Sequence, residues 1–285
     1  MEARFYRREG DAAVCGLCPR RCRIAPGKRG ACLARMNRNG VLQSLVYGAP
    51  AAVQIDPIEK KPFAGFLPGT KTFSIGTFGC NLFCRNCQND RLSRGAPSEI
   101  PQQEILPEKI VDAALQHHCR SVAFTYNEPT VWAEYAMDIA RLAHEAGLKT
   151  VLVTNGFITT EAAAELYPLM DAANIDLKSM DPAFYRENCG GELSDVLSAI
   201  RQYRASGGHL ELTTLVIPGK NDSDEELQQI FDFAHSLNDP ELILLFSRFF
   251  PFYQLRDVPP TPPETLYRIR EAGEKQGLQI RLGNL

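Results

Sequence analysis

The sequence has no apolar run that approaches the roughly 18–20 residues needed to span a bilayer. Its opening residues, MEARFYRREGDAAV, contain no apolar stretch of the kind that a secretion signal carries. Neither sign of charge dominates, because the formal net charge is −3, so no general attraction to nucleic acid or to a membrane surface is expected. We therefore expect a cytoplasmic protein, in a compartment that keeps thiols reduced.

The sequence also has little histidine and shows no paired carboxylates or nucleophile–base pair in a clear arrangement. It contains five histidines, the first of which is His117. A cofactor-free hydrolase is therefore not supported, since its chemistry needs such groups. What the sequence does have is nine cysteines, seven of them in two tight groups. In a reducing compartment this pattern indicates metal or redox chemistry, while the isolated Cys119 and Cys189 are expected to be buried packing residues.

The chain length of 285 residues fits one large α/β domain or two modest ones. Residues 1–70 are predicted to form a cysteine-rich N-terminal extension, with a β-hairpin in 40–56 that turns near Gly48-Ala49-Pro50. The first forty residues carry ten Lys or Arg against three acids, which can dock an acidic partner or simply form a solvated basic surface. Residues 71–285 are predicted to form the second unit.

From residue 71 onward, short apolar runs alternate with longer amphipathic ones, which is the pattern of βαβ units around a buried parallel sheet. The predicted strands are 72–77, 120–126, 149–154, 172–177, 209–217, 242–248 and 278–282. The predicted helices are 107–118, 130–146, 160–170, 193–206, 223–237 and 263–276, with Ser223 and Glu226 as a capping box. About six such units fit a partial or full (β/α) barrel, or else a doubly wound open sheet, and either fold places the site at the C-terminal strand ends.

The first cysteine group follows directly on the first of these strands. Residues 80–87 read CNLFCRNC and supply Cys80, Cys84 and Cys87. Three thiolates can hold one soft metal centre, but a structural zinc ion wants a fourth protein ligand and an electron-transfer [4Fe–4S] cluster normally has four cysteines. Three thiolates on such a cluster leave one iron without a protein ligand, and that open corner can bind a substrate or a cofactor.

This CxxxCxxC loop after the first strand of a (β/α) domain resembles the signature of radical SAM enzymes. The resemblance implies a [4Fe–4S] cluster whose open iron binds S-adenosylmethionine. It also implies that reduction of the cluster yields a 5′-deoxyadenosyl radical, which abstracts hydrogen from a substrate. The family usually has an aromatic residue just before the third cysteine, whereas this chain has Asn86 there and Phe83 before the second.

Polar residues at the ends of later strands fit the same interpretation. Asn127 and Glu128 resemble the family's position for the methionyl amino group, although Asn-Glu-Pro also suits a helix N-terminus. Asp176 and Lys178 share one face of their strand by alternation. They resemble the S-adenosylmethionine pocket of glycyl-radical activating enzymes, or else form a structural ion pair. The residues predicted to bind the cofactor are Asn127, Glu128, Asn155, Asp176, Lys178, Thr214 and Arg248, the last of which can instead be paired structurally.

The resemblance becomes closer when nearly all of residues 15–284 is used. It rests on DPIEKKPFAGFLPGTKTFSIGTFGCN, AFTYNEPT, VTNGF, NIDLKS, TTLVIPGKND and SRFFPFY. Together these segments resemble the radical SAM enzyme of the AmmeMemoRadiSam system, which is similar to pyruvate formate-lyase activating enzyme. The resemblance implies a reductant such as ferredoxin or flavodoxin, and a functional link to Memo-like and AMMECR1-like proteins. It suggests a protein target of the glycyl-radical type, with a small molecule or another macromolecule as the alternative.

The second cysteine group, CGLCPRRCRIAPGKRGAC, supplies Cys15, Cys18, Cys22 and Cys32. Four cysteines can close a tetrahedral zinc site or ligate a complete second iron–sulfur cluster, and the spacing slightly favours zinc. The rival to an enzyme is a non-enzymatic metal-cluster protein with a structural or redox-sensing role. Such a protein would not bind S-adenosylmethionine.

Overall fold

The computed structural model describes residues 1–95 and 103–285. Its N-terminal part contains an antiparallel sheet of β1 (Tyr6–Glu9), β2 (Ala12–Cys15) and β3 (Arg23–Ile24), and a hairpin of β4 (Arg35–Arg38) and β5 (Val41–Ser44). The prediction of a hairpin in 40–56 is wrong, because β5 pairs with β4, the strand that precedes it in the sequence. Asn39 and Gly40 both have positive φ and form the turn, and Asn-Gly is the pair that a tight hairpin turn favours.

The central sheet consists of eight strands: β6 (Ala52–Pro57), β7 (Lys71–Gly76), β8 (Ser121–Phe124), β9 (Lys149–Thr154), β10 (Ala172–Asp176), β11 (His209–Val216), β12 (Ile243–Arg248) and β13 (Gln279–Gly283). They lie side by side in chain order; β7 to β13 are parallel, and β6 is antiparallel to β7. Lys60, just after β6, and Arg281, on β13, line one cavity. The sheet therefore curves into a partial barrel whose edge strands are β6 and β13, which confirms the predicted α/β fold.

The helices are α1 (Asp90–Arg94), α2 (Pro107–Gln116), α3 (Ala133–Glu145), α4 (Thr160–Leu166), α5 (Pro182–Phe184), α6 (Leu193–Ser206), α7 (Asp224–Ser236) and α8 (Pro263–Glu274). The sequence did not predict α1, α5 or the π-helical turn Tyr185–Cys189. Among the described residues, no helix is long and apolar enough to cross a membrane.

The predicted capping box at α7 forms only in part. The Ser223 hydroxyl accepts from the backbone N–H of Glu226 at 3.2 Å. The Glu226 carboxylate does not close the box, because it accepts instead from the Ser179 hydroxyl at 2.6 Å and from the backbone N–H of Met180. The start of α7 is therefore tied to the loop after β10, at the same edge of the sheet as the predicted site.

Segment 58–66 fills the barrel interior near the N-terminal ends of the strands. Phe63 is fully buried there. The buried carboxylate of Glu211 accepts from the backbone N–H of Ala64 at 2.9 Å and of Gly65 at 2.8 Å, which satisfies its charge. This segment closes one end of the barrel and leaves the C-terminal strand ends for a site.

The predicted division of the chain at residue 70 falls inside a continuous hydrogen-bonded unit. Strand β6 lies before that boundary and pairs along its whole length with β7, which lies after it. The division into 1–70 and 71–285 stays a prediction. Strand β6 belongs to the first of these ranges but is part of the central sheet, whose other strands belong to the second.

Candidate active site

A cavity of about 690 Å³ opens at the C-terminal ends of the parallel strands. Loops that follow parallel strands emerge at one edge of the sheet, so residues that are distant in sequence meet there. The cavity brings together eight of the residues predicted from the sequence, namely Cys80, Cys84, Cys87, Asn127, Glu128, Asn155, Asp176 and Lys178.

The three cysteines of the loop 80–87 are half-buried and line this cavity. The Cys189 thiol hydrogen-bonds to Cys84 and, with the positive charge of Lys178, lowers the pKa of Cys84. Burial raises the pKa of Cys80 and of Cys87. The thiols thus differ in acidity, although each must lose its proton to ligate a metal.

The donor set fits a [4Fe–4S] cluster with one open iron, because three thiols share one roomy cavity. Among the residues the structure describes, no three Cys, His, Asp or Glu side chains converge closely enough to hold a metal ion. The thiols of Cys80, Cys84 and Cys87 therefore have to move closer together to ligate a cluster, and the cavity beside them leaves space for that movement.

Three asparagines hold the start of this loop against the neighbouring strand ends. Asn127 accepts from the backbone N–H of Thr77 at 2.9 Å and donates to the Gly79 carbonyl at 2.8 Å. Asn155 donates to the side-chain carbonyl of Asn81 at 3.0 Å and lies 3.6 Å from the Cys80 sulfur. The side-chain amides of Asn127 and Asn155 thus both hydrogen-bond to the cysteine loop and help to hold its conformation.

A cluster of Arg20, Phe83 and Arg94 stabilises the backbone of this loop. Both guanidinium groups stack over the Phe83 ring, with their carbons 4.2 Å and 4.0 Å from the ring centroid. Arg94 donates to the carbonyls of Cys80, at 2.6 Å, and Leu82, and Arg20 donates to the carbonyl of Asn81. These contacts fix the loop backbone while leaving the cysteine side chains on the cavity side.

Glu128 is buried and accepts three hydrogen bonds from the protein. Its donors are the backbone N–H groups of Thr130 at 2.9 Å and Asn155 at 2.8 Å, and the Thr154 hydroxyl at 2.7 Å. Burial raises the pKa of Glu128, and these donors offset the rise in part. The carboxylate caps the helical turn after it, as the sequence suggested, and lines the cavity as well.

Asp176 and Lys178 form an ion pair that faces the cavity. The Lys178 Nζ lies 2.6 Å from Asp176 Oδ2. Burial alone would lower the pKa of Lys178, but the negative charges of Asp176 and of the Cys84 thiolate outweigh it and raise that pKa well above its ordinary value. Lys178 therefore stays protonated and holds a positive charge beside the cysteine loop.

Two predicted cofactor-binding residues do not line the cavity. Strand alternation places Thr213 on the inner face of β11 and Thr214 on the opposite face, where its hydroxyl donates to the Leu177 carbonyl at 2.7 Å. Arg248 is at the end of β12, where it donates to the Thr261 carbonyl at 2.7 Å and stacks over Phe250. Thr214 and Arg248 thus make structural contacts outside the cavity lining, and their role in cofactor binding stays a prediction.

Several residues of this site were not among those predicted to bind the cofactor. Thr213, Ser247 and Arg281 point inward from β11, β12 and β13. Alternation along each strand was the signal that could have found them, since inward positions recur at every second residue. Asn81 had no such signal, because its role depends on a contact with Asn155 in a distant loop.

The four N-terminal cysteines line a second, much smaller cavity of about 10 Å³. Burial raises the pKa of Cys15 and Cys32, and raises that of Cys18 to about 12. Burial outweighs the positive charge of Arg35 beside Cys15 and Cys32, so the thiols of Cys15, Cys18 and Cys32 stay neutral at physiological pH.

Comparison with known proteins adds the following matches. The family model described as the radical SAM superfamily matches residues 74–234. An uncharacterized protein of Methanocaldococcus jannaschii is 41% identical over 286 residues, covering 100% of this chain and 85% of the relative. The 4-hydroxyphenylacetate decarboxylase activating enzyme of Clostridioides difficile is 32% identical over 136 residues, covering 47% of this chain and 42% of the relative.

Among solved structures, a domain of pyruvate-formate lyase-activating enzyme from Bacteroides vulgatus matches with a TM-score of 0.51 at 21% identity. The match covers 57% of this chain and 99% of that domain, and at this identity it supports the fold alone. The expected similarity to activating enzymes is confirmed. The chain spans less than half the length of the decarboxylase activating enzyme, and the family-model match contains the loop 80–87 but not the N-terminal cysteines.

Proposed function

The chain belongs to the radical SAM superfamily, and from this premise we propose that Cys80, Cys84 and Cys87 bind the [4Fe–4S] cluster that the family uses with S-adenosylmethionine. The observation that carries the proposal is the shared cavity, where three thiols meet five polar residues from successive strand ends. When bound, the cluster and S-adenosylmethionine supply a 5′-deoxyadenosyl radical, which takes a hydrogen atom from the substrate. The chain is thus an enzyme, and its residues bind, orient and shield these groups.

We propose that S-adenosylmethionine lies along the strand ends from Asn127 to Lys178. Glu128 can accept from the amino group of the cofactor, because a carboxylate accepts several hydrogen bonds and its three protein donors leave acceptor capacity. Lys178 can donate to the carboxylate of the cofactor, and Asp176 orients the Lys178 side chain. Asn127 and Asn155 act mainly by holding the cysteine loop against these groups.

For the substrate, we propose a protein target of the glycyl-radical type. Support comes from the decarboxylase activating enzyme that matches 47% of the chain. The basic N-terminal residues fit an acidic surface on such a target. We further propose a ferredoxin or flavodoxin as reductant, membership of the AmmeMemoRadiSam system, and a functional link to Memo-like and AMMECR1-like proteins.

We also propose that Cys15, Cys18, Cys22 and Cys32 bind a second metal centre, zinc or an iron–sulfur cluster, since all four line one small cavity. The nine cysteines are unpaired, which supports a reducing compartment such as the cytoplasm.

The test compares anaerobically reconstituted wild type with a variant carrying Cys80→Ala, Cys84→Ala and Cys87→Ala. With dithionite as reductant, we expect the EPR signal of the wild-type cluster to change on adding S-adenosylmethionine, and 5′-deoxyadenosine to form. The variant should show neither effect, whereas Cys119→Ala, a buried cysteine outside both groups, should match wild type. A wild-type cluster whose EPR signal ignores S-adenosylmethionine would contradict the proposal.

A further inference from the structure

The cavity at the N-terminal cysteines is far smaller than the one at the cysteine loop. Its volume is about 10 Å³, whereas the cavity at Cys80 has a volume of about 690 Å³. Apolar side chains of Leu17, Ile24 and Val131 wall it. A single ion needs only that the four cysteine side chains draw together, whereas a four-iron cubane would have to push the walls of this small cavity apart.

The backbone brings the four cysteines to this cavity from a short stretch of chain. Cys15 ends β2, and its backbone N–H donates to the Cys22 carbonyl at 3.0 Å. The Cys18 carbonyl accepts from Arg21 at 3.1 Å and closes the turn between them. Cys32 reaches the same cavity from just before β4. Spacings of two and three residues inside such turns are typical of zinc ligands.

A buried arginine next to the cavity is independent evidence that the cavity binds a negatively charged group. Arg35 is 1% exposed and lines the cavity. Two of its donor nitrogens are used, since one end binds the Glu134 carboxylate at 2.6 Å and the other donates to the Arg4 carbonyl at 3.0 Å. Its Nε has no hydrogen-bond partner. A buried N–H without a partner is costly, and a thiolate sulfur in the cavity would accept from it.

We propose that Cys15, Cys18, Cys22 and Cys32 bind one zinc ion in a closed tetrahedral site, with the Arg35 Nε–H donating to one of the four sulfurs. The side chains have to draw inward to reach the ion, as in the cysteine loop. No ligand position stays open, so the site is structural. The ion fixes Cys32, whose carbonyl packs against Gly79 at the start of the cysteine loop.

This inference goes beyond the proposed radical chemistry and is tested without it. The 285-residue chain with Cys80→Ala, Cys84→Ala and Cys87→Ala is reconstituted anaerobically with iron, sulfide and zinc offered together. After desalting, metals are counted by mass spectrometry and sulfide by colorimetry. We expect about one zinc per chain and little iron or sulfide. Adding Cys18→Ala should abolish zinc retention, whereas adding Cys119→Ala should leave it unchanged.

Two outcomes overturn the proposal. Retention of about four irons with sulfide would make the site an auxiliary cluster. Retention of neither metal would remove the metal site altogether. If the triple variant fails to fold, wild type decides the question, since zinc predicts about four irons and one zinc per chain and a second cluster predicts about eight irons. None of these counts depends on whether S-adenosylmethionine is cleaved.

Discussion

At the residue scale, the negative charges of Asp176 and Cys84 keep Lys178 protonated although burial of its amino group favours the neutral form. If it donates to the cofactor carboxylate, Lys178→Met should weaken S-adenosylmethionine binding about 10- to 100-fold, the usual worth of a hydrogen bond to a charged group. Equilibrium dialysis of the reconstituted protein with labelled cofactor measures this effect. Lys60→Met is the matched control, because Lys60 lines the same cavity from the segment after β6. Equal losses in both variants would mean that only the total charge of the cavity matters.

Asp171 offers a prediction that concerns stability and pH. Its carboxylate accepts from Lys149 at 2.7 Å and from the backbone N–H of Thr150 at 2.9 Å, and His144 lies at 2.9 Å. Burial alone would raise the pKa of Asp171, but these partners outweigh it and lower the pKa. A lowered pKa means that the stabilisation is complete above the unfolded value of about 4 and is lost as pH falls through the folded value.

We therefore expect Asp171→Asn to cost about 1–3 kcal/mol of unfolding free energy near neutral pH. The difference from wild type should shrink as pH falls below about 4. Urea unfolding at both pH values measures it, with the exposed Asp112→Asn as control. A difference that is independent of pH would show that the charge of Asp171 plays no part.

At the element scale, the alternating strands and helices were predictable because each carries its own period of apolar residues. All seven parallel strands, β7 to β13, lie where that pattern places them. The apolar pattern of 40–56 could not predict the partners of β5 and β6, because both partners lie outside that segment. Strand β5 pairs with β4, and β6 pairs with β7. The sequence placed Thr214 on the correct strand but did not show which face of β11 points into the cavity; Thr213, not Thr214, lines it.

The start of the cysteine loop gives an element-scale prediction. Gly79 has φ +97°, and a Cβ there would collide with the Cys32 carbonyl and approach the Ala34 Cβ to 3.2 Å. Gly79→Ala should therefore lower the unfolding free energy by about 2–4 kcal/mol and reduce the iron retained after reconstitution. Gly69→Ala is the matched control, since Gly69 has φ +76° with no atom near its Cβ position. If both variants lose iron equally, backbone strain alone explains the loss.

At the scale of the whole molecule, the N-terminal part and the barrel meet through side chains that no local pattern reveals. Arg20 reaches the cysteine loop, and Arg35 reaches Glu134 on α3, 99 residues away in sequence. The four-cysteine motif was visible in the sequence, but its position behind the loop 80–87 depends on these long-range contacts. The sequence therefore reveals the two cysteine groups but not their relative position in the folded protein.

The buried pair of Arg35 and Glu134 makes that relation measurable. Both side chains are 1% exposed, and removing one partner of a buried ion pair typically costs about 3–5 kcal/mol because the other charge stays uncompensated. Glu134→Gln should therefore lower the unfolding free energy by that amount, whereas Glu271→Gln, in a surface pair with Lys275, should leave it unchanged.

The same variant links the two halves of the molecule to the proposed zinc ion. A zinc ion with four thiolates carries a net negative charge beside Arg35, whereas without the ion burial keeps the thiols of Cys15, Cys18 and Cys32 protonated. The loss caused by Glu134→Gln should thus be larger after zinc is removed by a chelator than in the zinc-loaded chain, because only the loaded site offers Arg35 a second anionic neighbour. Urea unfolding of wild type and variant under reducing conditions, each with and without zinc, gives the four values needed. Equal losses in both metal states would mean that Arg35 does not interact with the cysteine site and serves only to hold α3.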